Sequence, residues 1–265
     1  IDEVKKIFDD NDSQVKIDQG KQFLKFKKMR EGFTASEKNL NEFNEMDKSI
    51  LKSIADTFND SVYVYNGDQI QSQYSRLKNA FSGIDKLQIN YACKALSNIS
   101  ILGLMNSMGT GLDTVSVQEV QLGIKAGFDP KKIIFTPNGV SMEEIEEVAS
   151  LGVQINIDNL SVLEQFGSKH PKIPVCIRIN PHVMAGGNSN ISVGHIDSKF
   201  GISIHQIPHI IRIVENTKMR INGLHMHTGS DILDIDVFLH AAEILFDTAM
   251  KFENLDFIDF GSGFK

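Results

Sequence analysis

Beyond about Asp47 the apolar residues follow two alternating patterns. Short apolar runs of strand length fall at 62–65, 87–93, 112–116, 132–136, 153–158, 175–180, 223–227 and 257–260. Between them, apolar positions recur every three or four residues, predicting helices at 50–58, 69–81, 98–108, 117–126, 142–150, 160–166, 206–215 and 235–252. Glycine or proline punctuates most junctions. Strands alternating with helices predict βαβ units and a parallel sheet. Counted from the run at 87–93, seven strands follow one another, and polar residues and glycines gather at their C-terminal ends. That is where a (β/α)₈ barrel builds its site. The expected fold class is therefore α/β, a barrel of the eightfold type with about seven of eight strands. A doubly wound sheet is the alternative and would need a cleft at a strand-order reversal. The chain stops at Phe264-Lys265, just after the seventh strand, which predicts a fragment of a longer protein with an incomplete barrel.

Residues 1–47 differ in texture. They are rich in Lys, Asp, Glu, Asn and Gln, with Val4, Ile7, Phe8, Phe23, Leu24 and Phe26 in short amphipathic patterns broken at Gly20 and Gly32. The expected organisation is a helical or disordered extension over 1–47 and an incomplete barrel domain over 48–265. Composition narrows the function classes. The 27 Lys and Arg against 34 Asp and Glu leave a net charge of −7, which argues against nucleic acid or an anionic membrane surface as partner. No apolar run approaches a membrane span, and Ile1-Asp2-Glu3-Val4-Lys5-Lys6 is followed by no apolar core of a secretory signal. The two cysteines, Cys93 and Cys176, lie in apolar strand-like runs and read as buried reduced thiols of a cytoplasmic protein. No His/Cys cluster has metal-ligand spacing, so no metal is expected.

The candidate chemistry starts at Lys94, which closes the apolar run at 87–93. Partial burial there would disfavour the ammonium and leave a neutral amine, the nucleophile a Schiff base requires. The plain alternative is a strand-end lysine whose head reaches water. Other strand ends add to it. His227 could lie flat on an aromatic ligand and Ser230 could donate to an anion, or His227 could be a core histidine bonded to backbone. Gly261-Ser262-Gly263 could form an anion-binding nest of backbone N–H groups, or a tight turn. Asp113 and Glu119 flank the end of the second strand, where a carboxylate could keep a neighbouring lysine or imidazole charged. A loop cap and a helix N-terminal residue are the alternatives. Arg178, mid-strand in an apolar run, needs a buried partner: an anionic ligand oxygen or a carboxylate. Ser198-Lys199-Phe200-Gly201 follows a glycine- and asparagine-rich loop at 185–194, long enough to suggest function.

Jointly, in order and spacing, these stretches resemble the fold-type III pyridoxal-phosphate decarboxylases, whose barrel is of the alanine racemase type, and within them the diaminopimelate decarboxylases. The marks are Tyr-Ala-Cys-Lys-Ala at 91–95, Gly-Leu-Asp-Thr-Val-Ser at 111–116 with Glu119, and Ile-Arg-Ile-Asn-Pro at 177–181. Ser-Lys-Phe-Gly at 198–201, Gly-Leu-His-Met-His-Thr-Gly-Ser at 223–230 and Gly-Ser-Gly-Phe at 261–264 complete them. The resemblance implies that Lys94 carries pyridoxal 5'-phosphate as a Schiff base and that His227 stacks on its ring. It implies that Ser230, Gly261, Ser262 and Gly263 hold the phosphate. Arg178 would lie near the phenolic oxygen and Asp113 near Lys94. It further implies decarboxylation of meso-2,6-diaminopimelate to L-lysine by a homodimer with shared sites. Carboxynorspermidine or another basic amino acid as substrate, or a non-catalytic pyridoxal-phosphate barrel, are the alternatives. Three departures stand out. Ser262 replaces the central glycine of the phosphate turn, the residue after the Lys-Ala pair is Leu96, and no Glu-Pro-Gly-Arg segment or C-terminal β domain follows. The chain alone is therefore expected to be inactive as a decarboxylase.

Overall fold

A computed structural model describes residues 48–59, 62–183, 198–230, 232 and 234–263. The extension over 1–47 and the loop at 185–194 lie outside them. The described residues up to Leu87 belong to one compact unit and those from Gln88 onward to another.

The first unit contributes two helices, α1 (Lys48–Phe58) and α2 (Gly67–Ala80). Asn66 caps α2, its Oδ1 accepting the Gln69 N–H at 3.1 Å. The expected strand at 62–65 does not form. A strand exists only by pairing, and these residues have no described neighbour to pair with. They are irregular, and Tyr63 is 91% exposed with its ring stacked on that of Tyr65, centroids 6.5 Å apart.

In the second unit the strands are β1 (Asn90–Ala92), β2 (Gly111–Thr114), β3 (Ile133–Phe135), β4 (Gln154–Ile157), β5 (Val175–Asn180), β6 (Ile202–Ser203), β7 (Ile221–His225) and β8 (Phe257–Asp259). All pairs are parallel, in the order β1-β2-β3-β4-β5-β7-β8, with the two-residue β6 added at the end of β5. The crossovers are α3 (Ile99–Ser107), α4 (Val117–Lys125), α5 (Met142–Ser150), α6 (Leu160–Lys169), α7 (Ile207–Thr217) and α8 (Ile235–Ala249). Strand order never reverses, so the doubly wound alternative is excluded and the sheet is that of a barrel. Among the described residues β1 pairs only with β2 and β8 only with β7, so the sheet is open. None of the described helices is long and apolar enough to cross a membrane.

Residue alternation decides which side of the sheet each side chain takes. Leu112 pairs with Ile133, Phe135 with Ile155, and Ile157 with Ile177 and then Leu224. These residues are fully or almost fully buried, and they form the layer beneath the helices. Gly123 of α4 sits so close to Leu112 that a Cβ there would strike its side chain. The other side is polar: Arg178 is the register partner of His225, and His225 of Asp259. Many polar residues at strand ends serve the helices instead. Asn98, Ser116, Ser141 and Asn159 each accept an N–H from the first turn of the helix that follows.

Candidate active site at the carboxyl ends of the strands

On the polar side of the sheet three side chains form a chain of hydrogen bonds. Asn156 Nδ2 donates to Thr136 Oγ1 at 3.0 Å, and Thr136 Oγ1 donates to Asp113 Oδ1 at 2.8 Å. Since the hydroxyl proton points at Asp113, that oxygen is held as an acceptor. Burial pushes the Asp113 carboxyl up from its ordinary value, opposed by the nearby His225, the Thr136 bond and Lys94. Replacing Thr136 by valine keeps the shape and strands both neighbours. We expect it to cost about 1–3 kcal/mol, read as a lower urea midpoint at unchanged slope; an unchanged midpoint would contradict this.

Arg178 is only 7% exposed. Its guanidinium lies 4.8 Å from the Phe200 ring centroid, a cation–π distance. Burial lowers its proton affinity, while Asp158, Asp113 and Asp259 oppose that by charge. None of the three makes a hydrogen bond or ion pair with it among the described residues. With respect to the described residues, its donors are therefore available to a further acceptor.

Lys94 corrects one expectation. Strand β1 ends at Ala92, and Cys93–Ala95 form a single 3₁₀ turn that lifts the lysine onto the rim, exposed rather than partly buried. Cys93 takes the buried position, and its thiol is pushed up to about 11 by burial and by Glu119 and Asp113. The register pairs Ala92, two residues before the lysine, with Asp113, so the backbone of Lys94 sits at the carboxyl end of the sheet beside β2. Glu119 closes the turn before α4: its Oε2 accepts the Val115 N–H at 2.8 Å, while its own N–H donates to Ser116 Oγ at 3.2 Å.

His227 lies two residues past the end of β7, partly buried. Burial, reinforced by Arg178, His225 and Lys94 against Asp259, lowers its pKa from 6.5 to about 3. The imidazole is neutral at neutral pH. Between those two values the unfolded chain holds a proton that the folded chain does not. Its contribution to stability is thus present in full above 6.5 and is lost as pH falls toward 3. His227→Phe should flatten the dependence of stability on pH across this window, as measured by denaturation at stepped pH. An equally steep dependence in the variant would contradict the assignment.

The turn after β8 does not present all three of its N–H groups. Gly261 N–H is already taken by Asp259 Oδ1 at 2.8 Å, which leaves those of Ser262 and Gly263. Gly261 (φ 63°) and Gly263 (φ 116°) are in the left-handed region. A Cβ on Gly261 would strike the Met226 carbonyl, and one on Gly263 the Gly229 carbonyl. The turn is zipped to the loop after β7: Met226 N–H donates to the Asp259 carbonyl at 2.9 Å and Ile232 N–H to the Gly263 carbonyl at 2.8 Å. Ser230 and Ser262 are exposed on the same rim.

The structure thus places Lys94 and His227 two residues past the ends of β1 and β7 and Asp113 and Arg178 on β2 and β5 of the same sheet, with the 261–263 turn against His227. Sequence reasoning missed Thr136, Asn156, His225 and Asp259. The signal was available for some of them. Polar residues two apart in apolar strands, as in Asn156-Ile157-Asp158 and His225-Met226-His227, share one face.

The pyridoxal-binding domain of the pyridoxal-dependent decarboxylases matches residues 67–265. The chain belongs to this family. Diaminopimelate decarboxylase of Methanothermobacter thermautotrophicus is 35% identical over 217 residues, 79% of this chain and 51% of that protein. The Campylobacter jejuni diaminopimelate decarboxylase is 33% identical over 80% of this chain and 55% of its own length. Among solved structures, diaminopimelate decarboxylase from Helicobacter pylori complexed with L-lysine superposes with a TM-score of 0.71 at 31% identity. That match covers 79% of this chain and 56% of that one. The chain spans about half the length of these relatives. Pyridoxal phosphate is the cofactor of the family, and the residues present fit it: a buried arginine with donors to spare, a neutral imidazole, and a glycine turn with room only for backbone.

Proposed function

We propose that this domain holds pyridoxal 5'-phosphate on Lys94 and that the complete protein decarboxylates meso-2,6-diaminopimelate to L-lysine. The observation that supports the reading is the placement of Lys94, Asp113, Arg178 and His227 along the carboxyl halves of neighbouring parallel strands, with His227 against the glycine turn at 261–263. The bound cofactor would supply the electron sink that accepts the electrons of the broken carbon–carboxylate bond. The chain's own residues do the rest. Lys94 supplies the amine that holds the cofactor and, when displaced by substrate and protonated, would be a proton donor on the rim for the carbon that loses carbon dioxide. Asp113, fixed as an acceptor by Thr136, faces that amine. His227, kept neutral by burial, offers a flat face against which an aromatic ring can stack. Arg178 offers donors to an anionic oxygen. Ser230, Ser262 and Gly263 offer donors to the phosphate.

The diaminopimelate decarboxylase relatives and the lysine complex of one of them support the substrate. A homodimer is proposed on the same resemblance, and a cytoplasmic setting on the two free buried thiols, Cys93 and Cys176. Carbon dioxide release by the complete protein tests the substrate. We expect kcat/KM for meso-diaminopimelate to exceed that for carboxynorspermidine, and the reverse order would overturn the assignment.

A further inference from the structure

Asp259 has no part in the reading above, yet it ties three parts of the site together. It sits at the end of β8, directly before the glycine turn. Its Oδ1 accepts the Gly261 N–H at 2.8 Å, and its Oδ2 lies 2.9 Å from His225 Nδ1. Its backbone carbonyl accepts the Met226 N–H at 2.9 Å, one residue before His227. Three constraints therefore converge on one residue: the opening of the turn, the end of β7, and a buried imidazole. A glycine with φ 63° has a wide choice of conformations when nothing holds it. An acceptor two residues upstream removes that choice by closing a side-chain turn on the Gly261 N–H. The Ser262 and Gly263 N–H groups then point where the geometry of Gly261 sends them.

Building on the cofactor reading, we propose that Asp259 is the positioning residue of the phosphate turn: its carboxylate clamps Gly261 so that the following backbone donors are preset for a phosphate. It touches neither the substrate nor the reacting carbon. The clamp uses up one N–H of the turn, so it acts by ordering the other two rather than by binding the anion. This yields a signature that general loss of structure lacks. Pyridoxal and pyridoxal phosphate both react with Lys94, but only the second needs the turn.

The test compares the affinity of both ligands, read by absorbance and by the amount of borohydride-fixed adduct, in the full chain. Asp259→Ala removes the acceptor, and Asp259→Leu removes it while filling the space, in case the smaller side chain does not fold. Losing a hydrogen bond to a charged group corresponds to roughly ten- to a hundredfold in binding. We expect that loss for pyridoxal phosphate and less than about a threefold change for pyridoxal. Asp259→Asn, which keeps an oxygen facing Gly261, should restore most of the phosphate-dependent affinity. Equal losses for both ligands in a folded variant, or no loss for either, would overturn the role of Asp259. A wild-type chain that takes up neither ligand would instead overturn the cofactor reading itself, so the two failures are separable.

Discussion

Lys94→Ala in the complete protein is expected to abolish covalent cofactor uptake and to lower the proposed decarboxylation by at least about 10²–10⁴-fold, the range lost when a positioned proton-transfer group is removed. The lysine is the middle residue of the 3₁₀ turn Cys93–Ala95 that follows β1 directly. Alanine fits that turn, so the fold should survive and the thermal midpoint should barely move. Lys94→Arg keeps the positive charge beside Asp113 and His227 but cannot form a Schiff base at neutral pH. The two variants should therefore be equally unable to fix the cofactor while differing in the electrostatics of the site. Borohydride-stable cofactor in either, at wild-type stoichiometry, would contradict the assignment of the nucleophile.

Gly261→Ala is expected to produce a large stability loss at the site. A non-glycine residue at φ 63° costs about 1–2 kcal/mol. Its Cβ would also meet the Met226 carbonyl and lie 3.1 Å from His227 Nδ1. The obstacle is backbone held in place by the Asp259–Met226 hydrogen bond, so no rotamer change relieves it. Overpacking adds about 1–3 kcal/mol. The sum, about 2–5 kcal/mol, should lower the thermal midpoint by roughly 5–15 °C in a chain of this size, and pyridoxal phosphate affinity should fall with it. Gly83 has open space at its Cβ, so the same substitution there should leave cofactor affinity unchanged. A Gly261→Ala protein with wild-type midpoint and affinity would show that the turn has no fixed geometry.

Most of the barrel was legible because its signal is local. Val175–Asn180 is buried along its whole length, and every parallel strand from β2 onward except the two-residue β6 overlaps an apolar run. The run at 62–65 was misread because period and β-branching cannot report whether a pairing partner exists. The strand before Lys94 came out shorter than its apolar run for a similar reason. Only Asn90–Ala92 find partners in β2, and the chain turns at Cys93. Of the site, the residues that sit at strand ends beside glycine or on motifs could be found by reading. The network behind them could not. Thr136 and Asp113 are 23 positions apart and Asn156 is a further 20 from Thr136. Nothing in one chain's composition says that register brings them together. The turn at 261–263 reads from sequence as an anion-binding nest or a tight turn, and the engagement of its first N–H by Asp259 depends on a side-chain rotamer that sequence does not show.

Borohydride reduction of the chain with added pyridoxal phosphate, followed by peptide mapping, tests the central claim most directly. The account predicts a single pyridoxyl adduct, on the peptide bearing Lys94, at close to one per chain, and its loss when Lys94 is replaced. Labelling spread over other exposed lysines such as Lys131 and Lys218, with none concentrated on Lys94, would contradict it.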